Sequence, residues 1–150
     1  MKGFISSAQI ITPNYTESCY LLDEPYKDFV DVKQTEDYIR KFSSITDANV
    51  IITSVKIQDK HYNICFDRKI DEVFNIEYEN QEISYPGSGD TFASILLGKL
   101  LQTDDFTIAS FFATNRTSYM VKKSIEQNRE PREGLPIENF LFTLNNDEVF

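Results

Sequence analysis

The sequence has little of several residue types that build specialised sites, with no tryptophan, one histidine and two cysteines among its 150 residues. Cys19 and Cys65 form neither a metal-ligand spacing nor a disulfide framework. We therefore expect both thiols to be reduced and partly buried. His61 has no partner nearby in the sequence that would orient it for catalysis, so we interpret it as a structural or solvent-facing residue.

Long apolar runs and an excess of basic residues are also missing. No run approaches the length of a membrane span, and residues 1–4 are not followed by the apolar segment of a signal peptide. The 24 acidic residues outnumber the 15 basic ones and give a net charge of −9, which argues against general binding of nucleic acid. We therefore predict a cytoplasmic protein that binds neither membranes nor nucleic acid. This charge does not exclude a nucleotide enzyme, because Mg²⁺ and backbone dipoles act locally.

Core-forming residues are plentiful, since hydrophobic residues make up 41% of the chain and include twelve phenylalanines and eight tyrosines. This composition is typical of one globular domain, which we place over residues 1–150. The apolar patterns predict strands over 8–11, 49–55, 62–66 and 73–76, the last two as an antiparallel pair. They also predict helices after Asn14, over 35–45 with Thr35 as the cap, over 92–101, over 106–126 as a long buried helix, and over 137–144.

The order of these elements predicts an α/β layered fold with a mostly parallel sheet, a β-hairpin and flanking helices. About four strands are visible, fewer than the roughly five or six strands of a usual sheet. The continuous β-branched run over 49–55 is typical of a strand covered on both faces, and such a strand needs neighbours on either side. We therefore expect the chain to be part of a larger sheet.

The most informative motif is Gly87-Ser88-Gly89-Asp90, which lies between an extended stretch and an apolar helix. Its two glycines allow a tight turn with uncovered backbone N–H groups, and the start of the following helix adds a positive end. A carboxylate beside such an anion cradle is suited to deprotonate a hydroxyl that attacks a phosphate. The motif thus favours phosphoryl transfer with Asp90 as the base. The structural alternative is a tight turn in which Asp90 or Thr91 caps the helix.

Asn14 and Glu17 directly follow the first predicted strand. Their spacing resembles a capping box, in which each side chain accepts a hydrogen bond from the other residue's backbone N–H. Alternatively, Glu17 lies at the carboxyl end of a parallel strand, where α/β sheets bind ligands, and holds Mg²⁺ through water. Both interpretations can hold for the same pair of residues.

A pair of hydroxyl side chains, Thr53 and Ser54, is expected at the end of the buried strand. At that end of a strand both hydroxyls could contact a nucleotide phosphate. They could equally cap the turn that follows. The sequence alone leaves both interpretations open.

Taken together, these segments resemble the pyridoxal and pyridoxamine kinases of the ribokinase-like superfamily. Residues 10–17 (IITPNYTE) are similar to that family's Thr-Pro-Asn-x-x-Glu segment, and residues 50–55 (VIITSV) to its nucleotide-side strand. Residues 85–92 (YPGSGDTF) are similar to its Gly-Thr-Gly-Asp signature, with a serine in place of the usual threonine. Residues 21–26 and 131–134 match the bacterial pyridoxamine kinase branch. Order and spacing agree across nearly the whole chain, so the joint match is far more specific than any single motif.

The resemblance implies an enzyme that transfers a phosphoryl group from ATP, with Mg²⁺, to the 5′-hydroxymethyl group of pyridoxal, pyridoxamine or pyridoxine. Asp90 would take the proton of that hydroxyl. The backbone amides of Gly87, Ser88 and Gly89 would stabilise charge on the transferring phosphoryl group, which is the dominant catalytic need in this chemistry.

The same resemblance assigns the cofactor-binding residues to the earlier part of the chain. Asn14 and Glu17 would organise Mg²⁺ and the ATP phosphates, with Glu17 as the metal ligand. Thr53 and Ser54 would line the nucleotide side of the site.

The resemblance covers only the C-terminal half of the family's chain. The N-terminal half of the family carries the first strands, much of the vitamer pocket and the flap over it, and we expect the present chain to lack them. The alternatives are another small-alcohol kinase, such as a hydroxymethylpyrimidine kinase, or a non-catalytic module that needs a separate N-terminal half. The strand at Ile10 and Ile11 would expose an edge, which invites pairing with that half or with a second copy of the chain.

Overall fold

A computed structural model describes residues 2–28, 30–81 and 83–145 of the chain. The chain divides into two compact units, Met1–Tyr78 (unit 1) and Glu79–Phe150 (unit 2), and each is described by itself. The assignment of residues 1–150 to one domain stays a prediction.

Unit 1 combines a four-stranded sheet with helices. Its elements are α1 (Lys2–Ile5), β1 (Ile10–Ile11), α2 (Tyr15–Leu21), α3 (Val32–Ile45), β2 (Asn49–Ile57), β3 (Lys60–Asp67) and β4 (Glu72–Tyr78). The strand order is β1-β2-β3-β4, with β1 parallel to β2 and with antiparallel pairing from β2 to β3 and from β3 to β4. The α/β class with its hairpin is confirmed. The sheet is mixed rather than mostly parallel, because tight hairpin connections supply two of its three pairings.

The core of unit 1 lies between α3 and the sheet. From α3 the side chains of Ile39 and Phe42 are fully buried, and they cluster with Val50 and Ile52 of β2. Ile51, which lies between Val50 and Ile52 in β2, is also fully buried. Three consecutive buried side chains bear out the strand burial predicted from the β-branched run.

The start of α3 corrects the predicted helix boundary. The cap is Asp31, whose carboxylate accepts the Gln34 backbone N–H at 2.8 Å, while the Gln34 side chain accepts the Asp31 N–H at 3.2 Å. Thr35, predicted as the cap, lies inside the helix, and its hydroxyl donates to the carbonyl of Val32 at 2.7 Å. The prediction was wrong because the first turn of α3 is largely polar, so the apolar pattern becomes visible only one turn later.

Unit 2 is built on two helices that pack against each other, α4 (Ser88–Thr103) and α5 (Phe106–Glu126). Asp104 adopts a left-handed conformation between them, and the carboxylate of Asp105 caps α5 by accepting the Ile108 N–H at 2.8 Å. Short 3₁₀ turns follow at Pro131–Glu133, Ile137–Asn139 and Leu141–Asn145. The short helix predicted over 137–144 is therefore present as two 3₁₀ turns rather than as one continuous helix. The Phe140 N–H donates to the carbonyl of Ile137 at 3.0 Å, three residues earlier, which is the spacing of a 3₁₀ turn.

The apolar residues of α4 and α5 are not all buried. Phe92, Ile95 and Leu96 of α4 are buried, but Leu101 of the same predicted stripe is 80% exposed. On α5 buried residues run from Phe106 to Ser124, but Ile108 and Phe111 are exposed, so the long helix predicted as buried is buried on one face only. Composition marks a residue as apolar without marking which helix face a neighbour covers.

Candidate functional site

The predicted site residues of unit 1 lie where β1 leads into α2. Asn14 forms a parallel bridge with Thr53, and the Thr53 backbone N–H donates to the carbonyl of Pro13 at 2.9 Å. Glu17 lies in the first turn of α2, three residues after Asn14. The fold therefore brings Asn14, Glu17 and Thr53 to one corner of the sheet, with Ser54 next to them in the chain.

Asn14 and Glu17 form a capping box. The Asn14 side-chain oxygen accepts the Glu17 N–H at 2.8 Å, and Glu17 Oε2 accepts the Asn14 N–H at 2.9 Å. Glu17 is exposed to solvent, although one carboxylate oxygen takes part in this cap. The structural interpretation of the spacing is thereby confirmed, and the binding roles of both residues stay predictions.

Thr53 and Ser54 form a β-bulge within β2. Ile52 pairs with Ile64 and Val55 pairs with Tyr62, so two residues of β2 stand opposite Asn63 alone. The position predicted for Thr53 and Ser54 at the end of the strand was wrong, because β2 continues to Ile57.

Ser54 has an unusual backbone conformation at this bulge. Its φ angle is 60°, in the left-handed region that few residues other than glycine, asparagine and aspartate adopt. Its N–H donates to the side-chain oxygen of Asn63 at 3.4 Å. Sequence reasoning missed Asn63, and the only signal for it in the sequence is a polar residue within the otherwise apolar stretch 62–66.

Two titratable side chains lie on the strands next to the bulge. Burial raises the pKa of the Tyr78 phenol, and a hydrogen bond from Ser54 offsets part of that rise. Burial and the Lys56 ammonium lower the pKa of His61, so its neutral form is favoured. The rings of His61 and Tyr78, paired across β3 and β4, have centroids 6.1 Å apart. This packing agrees with the structural interpretation of His61.

In unit 2 the glycine motif forms the start of α4. Gly87 is the N-cap with a φ angle of +84°, a left-handed conformation that only glycine adopts without strain. The Ser88 N–H donates to the carbonyl of Tyr85 at 3.2 Å and closes the turn. Gly87 carries no side-chain cap, and the Thr91 hydroxyl donates to its carbonyl at 2.9 Å. The alternative in which Asp90 or Thr91 caps the helix was therefore wrong.

The first turn of α4 leaves backbone donors and one carboxylate accessible. Among the residues that the structure describes, the N–H groups of Gly89 and Asp90 have no acceptor, as expected for a first helical turn without a capping side chain. The Asp90 side chain is exposed. Neighbouring atoms leave open space where a side chain on Gly87 or Gly89 would begin. An anion can thus approach these amides at the positive end of the helix.

A cavity of about 560 Å³ extends from this helix start along α4. Gly87 and Asp90 line one end, and the remaining lining is largely apolar. Inside unit 2 the buried Lys99 ammonium lies 4.6 Å from the centroid of the Phe112 ring, and both residues line this cavity.

The structure thus describes two groups of predicted site residues, one in each unit. Within the described parts of the chain, no group of three or more His, Cys, Asp or Glu side chains is arranged to hold a metal ion. None of the helices over those same residues is long and apolar enough to cross a membrane.

Comparison with known proteins identifies the family. The model of the phosphomethylpyrimidine kinase family matches residues 1–134. No curated protein matches the chain. A Bacteroides thetaiotaomicron protein described as a phosphomethylpyrimidine kinase matches 99% of this chain with 52% of its own, at 32% identity and a TM-score of 0.92. Its orthorhombic crystal form with pyridoxal matches 99% of this chain with 54% of its own, at 31% identity and a TM-score of 0.84.

A pyridoxal kinase shows the same likeness. The enzyme from Lactobacillus plantarum matches 95% of this chain with 51% of its own, at 25% identity and a TM-score of 0.82. The chain therefore spans about half the length of these solved relatives. The family match over most of the residues, together with the shared α/β architecture, shows that the chain belongs to the phosphomethylpyrimidine kinase family of ribokinase-like proteins.

Proposed function

We propose that the chain provides the ATP-binding and catalytic part of a kinase that phosphorylates the 5′-hydroxymethyl group of a B6 vitamer. The observation that carries this proposal is the start of α4, where Gly87 turns the backbone and leaves the Gly89 and Asp90 amides beside an exposed carboxylate. The likeness to a pyridoxal kinase and to a relative crystallised with pyridoxal supports the vitamer as the acceptor.

The chemistry follows from the groups at this helix start. As the acceptor oxygen forms its bond to the terminal phosphorus of ATP, the bond from that phosphorus to the leaving ADP oxygen breaks, and Asp90 takes the hydroxyl proton. The amides of Gly87, Ser88 and Gly89 were the predicted oxyanion donors. Since the Ser88 N–H is used in the turn, the Gly89 and Asp90 amides are the better placed donors toward the phosphoryl oxygens.

The corner of unit 1 would bind the polyphosphate and its metal ion. Mg²⁺ prefers oxygen ligands and keeps several waters, so a single exposed carboxylate suffices when the nucleotide phosphates supply the other ligands. Glu17 fits that role, because it is exposed and only one of its oxygens accepts the bond from Asn14. Asn14, Thr53 and Ser54 would then line the nucleotide side of the same corner.

A second segment is needed to complete the enzyme in this proposal. The chain spans about half the length of its solved relatives, and β1 is a two-residue strand at one edge of the described sheet. An edge strand offers free backbone groups to a further strand, either from a separate N-terminal half or from a second copy of the chain. Two free, buried cysteines are consistent with the cytoplasmic location that we propose.

A phosphorylation assay tests the acceptor directly. The chain is incubated with ATP and Mg²⁺, alone and with the N-terminal half of the Bacteroides thetaiotaomicron relative, and pyridoxal, pyridoxamine, pyridoxine, hydroxymethylpyrimidine and a sugar are compared as acceptors. We expect a B6 phosphate as the main product. Product only in the presence of the added half identifies the chain as a module of a split enzyme. Turnover of hydroxymethylpyrimidine or the sugar alone would refute the B6 assignment, and no transfer in either arm would refute the kinase.

Asp90→Asn tests the base. We expect the transfer rate to fall by about 10²–10⁴-fold, because the amide cannot accept the hydroxyl proton, while the affinity for ATP changes little. Asp104→Asn is the matched control at the other end of α4, where the left-handed backbone tolerates asparagine. An equal loss of ATP affinity in Asp90→Asn, or full transfer activity, would contradict the role of a base.

Glu17→Gln distinguishes the capping role of Glu17 from its proposed role as a metal ligand. Glutamine preserves the capping box, as Gln34 does at the equivalent position of α3, so the unfolding temperature is expected to stay unchanged. Without the carboxylate charge we expect the Mg²⁺ concentration for half-maximal activity to rise about tenfold. Unchanged Mg²⁺ dependence would leave Glu17 with a purely structural role.

A further inference from the structure

The β-bulge of unit 1 lies in β2, at the corner that we propose as the nucleotide site. Strand β2 pairs with β3 up to Ile52 and again from Val55, while on the other side of β2 the Thr53 backbone N–H donates to the carbonyl of Pro13 at 2.9 Å. Bulges of this kind re-aim side chains and are frequent next to active sites. The bulge therefore sets where Thr53 and Ser54 stand relative to Asn14.

Asn63 is the single residue opposite the bulge. It is buried, with 5% of its surface exposed, and its side-chain oxygen accepts the Ser54 N–H at 3.4 Å. A serine with a φ angle of 60° is strained, and such conformations persist only where the surroundings hold them. The hydrogen bond from the Ser54 N–H to the Asn63 side chain is one contact that holds this conformation.

We propose that Asn63 is a positioning residue for the nucleotide, one that holds the bulge in the shape that presents Thr53 and Ser54 to the ATP phosphates. This inference rests on the proposed function, because it takes the corner of Asn14, Thr53 and Ser54 as the nucleotide site. Asn63 itself acts through the backbone of Ser54 and does not contact the nucleotide. Its removal should loosen the bulge and weaken nucleotide binding without unfolding the sheet.

The chain offers a matched control at the other end of β2. The side-chain oxygen of Asn49, at the start of β2, accepts the backbone N–H of Arg68, the residue after β3, at 2.8 Å, and this is also a bond from a backbone N–H to an asparagine side chain. Asn49→Ala therefore removes an equivalent hydrogen bond far along the strand from the bulge. A merely structural role of Asn63 predicts the same outcome for Asn49→Ala and Asn63→Ala.

The experiment measures three quantities on the full chain: the affinity for ATP with Mg²⁺, hydrogen exchange of the Ser54 amide, and the unfolding temperature. Asn63→Ala is expected to weaken ATP binding about tenfold and to speed exchange of the Ser54 amide, while Asn49→Ala keeps both near the wild-type values. Asn63→Ser serves the same purpose where the alanine variant does not fold, because its hydroxyl is too short to reach Ser54. Asn63→Asp retains an acceptor oxygen and is expected to restore protection of that amide.

The outcomes separate this inference from the proposed function. Wild-type chain that binds no ATP contradicts the proposed function and this inference with it. Wild-type binding together with equal losses in Asn63→Ala and Asn49→Ala overturns the positioning role alone. Unchanged exchange at Ser54 in both Asn63→Ala and Asn63→Ser also overturns it, whatever happens to the affinity.

Discussion

The proposed site depends on one backbone feature, the left-handed turn at Gly87 that starts α4 without a capping side chain. In α2, α3 and α5 the side chain of the N-cap residue accepts a hydrogen bond from a backbone N–H of the first turn. In α2 and α3 the side chain of the third helical residue also accepts a hydrogen bond from the N–H of the N-cap residue. At α4 no side chain does so, and the Gly89 and Asp90 amides stay open among the described residues. A capping side chain would stabilise this helix start, and its absence leaves backbone donors that an anion can approach.

The corner of unit 1 combines a structural task with the nucleotide-binding role that we propose for its residues. The Asn14–Glu17 box fixes the start of α2, and in doing so it holds an exposed carboxylate at the carboxyl end of a parallel strand. The bulge at Thr53 and Ser54 interrupts the pairing of β2 with β3 at this corner, where Thr53 bridges to Asn14 on the other side of β2. Local hydrogen bonds thus place polar groups at the edge of the sheet where α/β proteins bind nucleotides.

Local signals made much of this structure predictable from the sequence. The spacing of Asn14 and Glu17 gave the capping box, the alternation over 62–66 and 73–76 gave the hairpin, and the apolar pattern gave α5 with its observed ends. Each of these features is decided by residues within a few positions of one another. The cap at Asp31 follows the same rule, and the box it forms with Gln34 is visible in the sequence.

The features that escaped prediction depend on residues distant in the chain. The bulge arises from how β2 and β3 align, so Ser54 and Asn63 carry no signal in their own neighbourhoods. Exposure of Ile108 and Phe111 likewise depends on which face of α5 a neighbour covers. At the candidate site, the sequence predicted the glycine turn, but it could not show that the Ser88 amide would close that turn while the next two stayed open.

NMR of the backbone amides at the start of α4 tests the proposed phosphate site most directly. During a titration with ATP and Mg²⁺, the Gly89 and Asp90 amide resonances should shift and saturate, because phosphate oxygens would accept hydrogen bonds from these two N–H groups. The first-turn amides of α5 provide the internal reference, since Asp105 already caps that helix. Saturable shifts confined to the start of α4 are the predicted result. Nucleotide binding that leaves Gly89 and Asp90 unchanged, or that shifts both helix starts equally, would contradict it.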